Sequence, residues 1–130
     1  MQSDNRPLSP HMQIYKRQWT WVPSILHRIS GALITFGALV LVYWLVALAS
    51  GPEAYENAQA VLGSFLGQLV LFLLTLAFFY HFLNGIRHLV WDFGSGLTVE
   101  KVEGSAKLIA ALTVVLTVLT WILAYMLGGA

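Results

Sequence analysis

Three long apolar runs, each free of Asp, Glu, Lys and Arg, dominate the chain: residues 29–52, 57–86 and 108–130. Each exceeds the roughly 20 residues that cross a bilayer as a helix. Their cores read ISGALITFGALVLVYWLVALA, VLGSFLGQLVLFLLTLAFFY and LIAALTVVLTVLTWILAYMLGGA. None alternates strictly between apolar and polar positions, as a barrel strand would. A backbone in lipid must satisfy its own N–H and C=O groups, and helix does so within one segment. The pattern predicts an all-α membrane protein with three transmembrane helices, near 24–49, 60–91 and 105–127. The small residues of GSFLG, 63–67, have the spacing that lets helices approach closely, though a glycine-rich helix also yields it by chance. Thr113, Thr117 and Thr120 are expected either to bond across to a neighbouring helix or back to their own carbonyls.

Composition agrees. Apolar residues make up 58% and charged residues 10% of 130 positions, against about 25% charged in a soluble domain. The length allows one domain, 1–130, with residues 1–23 as a polar leader. The chain has no cysteine, so it holds no disulfide, c-type haem, iron–sulfur cluster or thiolate zinc site. A net charge of +1 with no basic patch argues against nucleic acid.

The placement of charge sets the orientation. Arg6, Lys16, Arg17 and Arg28 precede the first run, Glu53 and Glu56 follow it, and Arg87, Lys101 and Lys107 lie between the second and third. Lys and Arg mark the cytoplasmic side, which puts the N-terminus and the second loop there. Trp19, Trp21 and Trp91 then mark one interface, and Tyr43, Trp44, Trp121 and Tyr125 the other. VALAS resembles a signal-peptidase site, but the leader and the apolar run before it are too long for a signal peptide. No Arg- and Ser-rich transit peptide is expected, which favours a bacterial cytoplasmic membrane over a mitochondrial one.

The second run ends in FYHFLNGIRHLVWDFG. At 100° per residue, His81, Gly85, His88 and Asp92 fall within about 60° of one another on a helix. His81 is the deepest, about 9 Å inside Arg87 by helix rise. His88 is about 10 Å from His81 along the axis, too far for both to bind one iron. A neutral imidazole at depth, with a glycine one turn away leaving room for a flat macrocycle, suits an axial haem ligand. A hydrogen bond from His81 to a neighbouring helix is the plainer alternative. Arg87 points off the stripe and reads as an edge residue reaching for headgroups.

The first helix opens with VPSILHRISG. Pro23 suits a first turn, and Ser24, His27 and Arg28 share a face at i, i+3 and i+4. A helix cap at Ser24 and a membrane anchor at Arg28 would account for these alone. By topology, however, both clusters lie on the cytoplasmic side at similar depth. A neutral donor, a fixed positive charge and a titratable group are what a quinone headgroup requires. His27, Arg28 and His88 are also candidates to pair with haem propionates.

RPLSPHMQIY, SILHRISG and HFLNGIRHLVWDFG, in this order within a three-span chain, resemble the large cytochrome b membrane-anchor subunit of succinate dehydrogenase, respiratory complex II. The resemblance covers essentially the whole chain, with the third helix matched by position and hydrophobicity. It implies that His81 is an axial ligand to haem b, the second ligand coming from a small anchor subunit that completes the helical bundle. It implies that Ser24 and Arg28 line a ubiquinone site with Ile25 as a wall, and that His27 lies near the haem propionates. Flavoprotein and iron–sulfur subunits would oxidise succinate and relay electrons. This chain would dock them in the bacterial inner membrane and help present quinone, as a non-catalytic subunit.

Three other readings remain. A small proton- or ion-translocating membrane protein without haem would want more ionisable residues within the spans. A self-contained haem oxidoreductase would want deep histidines on two helices. A purely structural anchor would leave His81 as a packing residue.

Overall fold

A computed structural model describes residues 22–94 and 99–128, with side chains described for 22–94 and 104–128. Residues 1–21, including Trp19 and Trp21, lie outside the described residues, whereas Val22 and Pro23, expected in the leader, already belong to the first helix.

Helix α1, Val22–Ala49, carries Pro23 in its first turn, where the missing N–H removes no helical bond. Its 28 residues at about 1.5 Å each span roughly 42 Å, more than a hydrocarbon core of about 30 Å. The helix ends where Ser50 folds back, its N–H reaching the Val46 carbonyl at 3.0 Å and its hydroxyl the same oxygen at 2.7 Å. Gly51 follows at φ +116°, a conformation open to glycine and costly for other residues. Pro52 then opens a short helix, α2, Pro52–Gly63, with Glu53 in its favourable first turn. This helix closes against the end of α1, where Trp44 Nε1 donates to Gln59 Oε1 at 2.8 Å and the Trp44 and Tyr55 rings meet edge to face.

The second spanning helix, α3, is Phe65–Asp92, so the expectation of one continuous helix from residue 60 is corrected. Ser64 makes the break. Its hydroxyl donates to the Val61 carbonyl at 2.6 Å and accepts from the Gly67 N–H at 3.1 Å, ending one helix and capping the next. Gly67 serves this corner: an added Cβ would collide with the Val61 and Leu62 carbonyls. Its place in GSFLG reflects that turn in the chain's own backbone.

The last helix, α4, spans Val99–Gly128. Helix α3 packs against both α1 and α4. Along the α3–α4 seam Tyr125 donates to Gln68 Oε1 at 2.6 Å and Trp121 Nε1 to the Thr75 hydroxyl at 3.2 Å. At the opposite end Arg87 Nε donates to the Ser105 hydroxyl at 2.8 Å and the guanidinium also reaches Asn84 Oδ1 at 3.1 Å. Arg87 is thus buried at a helix–helix contact, with its guanidinium 4.1 Å over the Trp91 ring, and does not reach for headgroups. Among the described residues the buried Thr113 and Thr117 hydroxyls meet neither a neighbour nor their own helix, unlike either expectation for them.

Few side chains are sealed inside. Ala47, Ala58, Ala77, Ala106 and Ile109 are the buried apolar positions among the described residues, while Leu39, Phe65, Val114 and many others lie exposed. Three helices long and apolar enough to cross a membrane, with oily outer faces, make a multi-pass all-α membrane protein.

Candidate functional site

The polar chemistry gathers where the start of α1 meets the last third of α3. The antiparallel pairing brings Pro23 beside Tyr80, whose hydroxyl donates to the Pro23 carbonyl at 3.2 Å. One turn on, His27 of α1 lies flat on His81 of α3, ring centroids 4.0 Å apart and planes within 8°. His88 meets the other edge of His27 at 5.3 Å and contacts Trp91 in turn. The three histidines form a continuous row across the two helices.

His81 is held through one nitrogen. Its Nδ1 lies 3.1 Å from the Ser30 hydroxyl and 3.2 Å from the His27 carbonyl. A carbonyl oxygen only accepts, so Nδ1 carries the proton and donates. The lone pair of the neutral ring then sits on Nε2, which has no hydrogen bond among the described residues. An imidazole fixed through one nitrogen with the other free is how a metal-binding histidine is oriented.

Two glycines shape the surroundings in opposite ways. A Cβ on Gly31 would stand 3.1 Å from Cε1 of His81, so glycine there is what lets the ring pack against α1. A Cβ on Gly85 would meet nothing within 4 Å, so the space beside the α3 stripe is open, as a flat prosthetic group would need. His27 Nδ1 is buried and without a partner, a polar atom that a further group would satisfy. The site therefore fits a haem by donor chemistry and by space.

The remaining candidates lie apart from this row. Ser24, Ile25 and Arg28 are all exposed, whereas His27 is half-buried and stacked on His81. Asp92 closes α3 and is exposed. Ser30 and Gly31 contribute to the site although spacing alone did not single them out; both stand within SILHRISG, and His27 one turn earlier was their only signal. A larger groove of about 680 Å³, lined by Gly37, Leu41, Trp44, Leu74, Phe78 and Thr120 among others, is apolar and lies away from the histidines.

Three apolar helices of membrane-crossing length, with a row of histidines where α1 meets α3, define a small multi-pass helical membrane protein. The chain belongs to the succinate dehydrogenase/fumarate reductase transmembrane subunit family, whose model matches residues 2–120. It is 42% identical over 118 residues to the succinate dehydrogenase cytochrome b556 subunit of Paracoccus denitrificans, covering 91% of each chain. It is 37% identical over 120 residues to the protein of that name from Rickettsia conorii, covering 92% of this chain and 93% of the relative. The mitochondrial succinate dehydrogenase cytochrome b560 subunit of Mus musculus is 38% identical over 114 residues, 86% of this chain and 68% of its own. The resemblance to complex II cytochrome b anchors is borne out.

Proposed function

We propose that this chain is the large anchor subunit of a succinate:quinone oxidoreductase, binding haem b through Nε2 of His81 and forming part of the quinone-reduction site. The observation that carries the reading is the geometry of His81: Nδ1 is engaged by Ser30 and His27, and Nε2 is left to bind a metal. A haem so bound supplies a one-electron carrier within the membrane. His27, with its unpartnered Nδ1 and with His88 at its edge, is the first candidate to bond a propionate. A second ligand would come from a small anchor subunit, as the family resemblance implies; among the described residues no other histidine lies as deep on these helices.

Ser24, Ile25 and Arg28 form the quinone side. Their exposure on α1 suits a site completed by other chains of the complex. The Ser24 hydroxyl donates a hydrogen bond to a quinone carbonyl oxygen, and the Arg28 guanidinium stabilises negative charge as quinone takes up two electrons and two protons. Flavoprotein and iron–sulfur subunits dock on the cytoplasmic side, where Lys and Arg place the N-terminus and the second loop. The chain acts as one membrane domain, 1–130, with its polar leader ahead of α1, in a bacterial inner membrane.

Variants of the assembled complex test this division of labour. Ser24→Ala and Arg28→Leu are expected to lower succinate–quinone reductase activity about 10²-fold with haem content unchanged. His81→Ala is expected to abolish the haem band. The same loss of haem in all three, or full quinone reduction in the first two, contradicts the assignment.

A further inference from the structure

Among the described residues, Ser30 is the one buried side chain that touches His81 through a hydrogen bond, and the hydrogen-bond inventory around it closes. Ser30 is 4% exposed and its hydroxyl donates to the His27 carbonyl at 2.9 Å. With its only proton committed there, Ser30 Oγ can face His81 Nδ1 only as an acceptor. The His27 carbonyl also receives the helical N–H of Gly31, one turn on in α1. That bond and the Ser30 hydroxyl occupy its two lone pairs. The contact of that carbonyl with Nδ1 at 3.2 Å is therefore the weaker of the two. Ser30 Oγ, with a free lone pair at 3.1 Å, is the principal acceptor. The reverse arrangement, with Ser30 donating to a bare Nδ1, would set the nitrogen lone pair against the His27 carbonyl oxygen.

We infer that Ser30 is a positioning residue that holds His81 as its Nδ1–H tautomer and thereby presents Nε2 to the metal. This rests on the reading of His81 as a haem ligand. Donation from Nδ1–H to Ser30 increases the electron density at Nε2, strengthens binding to ferric iron and lowers the haem potential. Removing the hydroxyl does the reverse. Loss of such an outer hydrogen-bond partner costs about 10- to 100-fold in metal affinity.

The test uses the assembled complex with wild-type Ser30, Ser30→Ala and Ser30→Thr, beside His81→Ala. Ser30→Ala is expected to raise the haem midpoint potential and weaken haem retention about tenfold, and Ser30→Thr, which keeps a hydroxyl, to return both toward wild type. An unchanged potential and retention in Ser30→Ala, with haem lost in His81→Ala, overturns the Ser30 inference alone. Haem retained in His81→Ala overturns the ligand reading beneath it. A second measurement needs neither haem nor assembly of the variants: ¹⁵N NMR of the full histidine-labelled chain in bilayers without haem. A proton on Nδ1 of His81 is expected, moving toward Nε2 in Ser30→Ala. A wild-type His81 protonated on Nε2 overturns the inference.

Discussion

Gly31 stands where α1 and α3 come closest to the chemistry. An added Cβ would sit 3.1 Å from Cε1 of His81, tighter than ordinary contact but against the edge of a side chain that can yield by a few tenths of an ångström. Gly31→Ala is therefore expected to keep haem with a small loss of stability. Gly31→Val adds two further carbons and must displace the ring, at about 1–3 kcal/mol of overpacking. Haem-to-protein ratios of the purified complexes check this: a fall in Gly31→Val is expected, and equal ratios in all three proteins would contradict the close approach. At this scale His81 was legible from sequence, because a histidine within an apolar run is costly without a purpose. Ser30 and Gly31 were not. Their roles depend on which face of α1 meets α3, and that is fixed by pairing between two helices about 50 residues apart in the chain. The same reason separates His27 from Ser24 and Arg28. A shared face at i, i+3 and i+4 spans about 100°, wide enough for one edge to turn inward and the other to stay exposed.

The helices themselves followed from length and apolarity, and their number and order were legible in the runs of uncharged residues. The break at Ser64 was not, because Val61, Leu62, Phe65 and Leu66 continue the apolar pattern straight through it. Its cause is local and stereochemical: a serine that ends one helix and caps the next, and a glycine whose backbone meets two carbonyls. An added Cβ at Gly67 would lie 2.7 Å from the Leu62 carbonyl oxygen and closer still to that of Val61, and backbone atoms cannot swing aside. Gly67→Ala is expected to destabilise the corner by about 1–3 kcal/mol, read as a lower midpoint in thermal melts of the helical circular dichroism signal in detergent. An unchanged midpoint would show that the corner yields. Arg87 was misplaced for a related reason. Its acceptors include Asn84 on its own helix and Ser105 on α4, and the packing of α4 against α3 turns an edge cation into a buried one.

As a whole, the molecule is a row of three spanning helices with α3 between α1 and α4 and with most large apolar side chains facing outward. So thin a bundle leaves both broad faces for lipid or for other subunits. The site shares that incompleteness: one histidine presents a free Nε2, space lies open beside Gly85, and Ser24, Ile25 and Arg28 line an uncovered flank. Under the proposed reading, a haem held by two histidines would take its second ligand from another chain. Dithionite-reduced minus oxidised visible spectra of membranes test this directly, with the chain expressed alone and with its partner subunits, wild type against His81→Ala. A b-type band that appears only with the partners and vanishes in His81→Ala is the expected result. A band from this chain alone, or one that survives His81→Ala, would contradict a haem shared between subunits through His81.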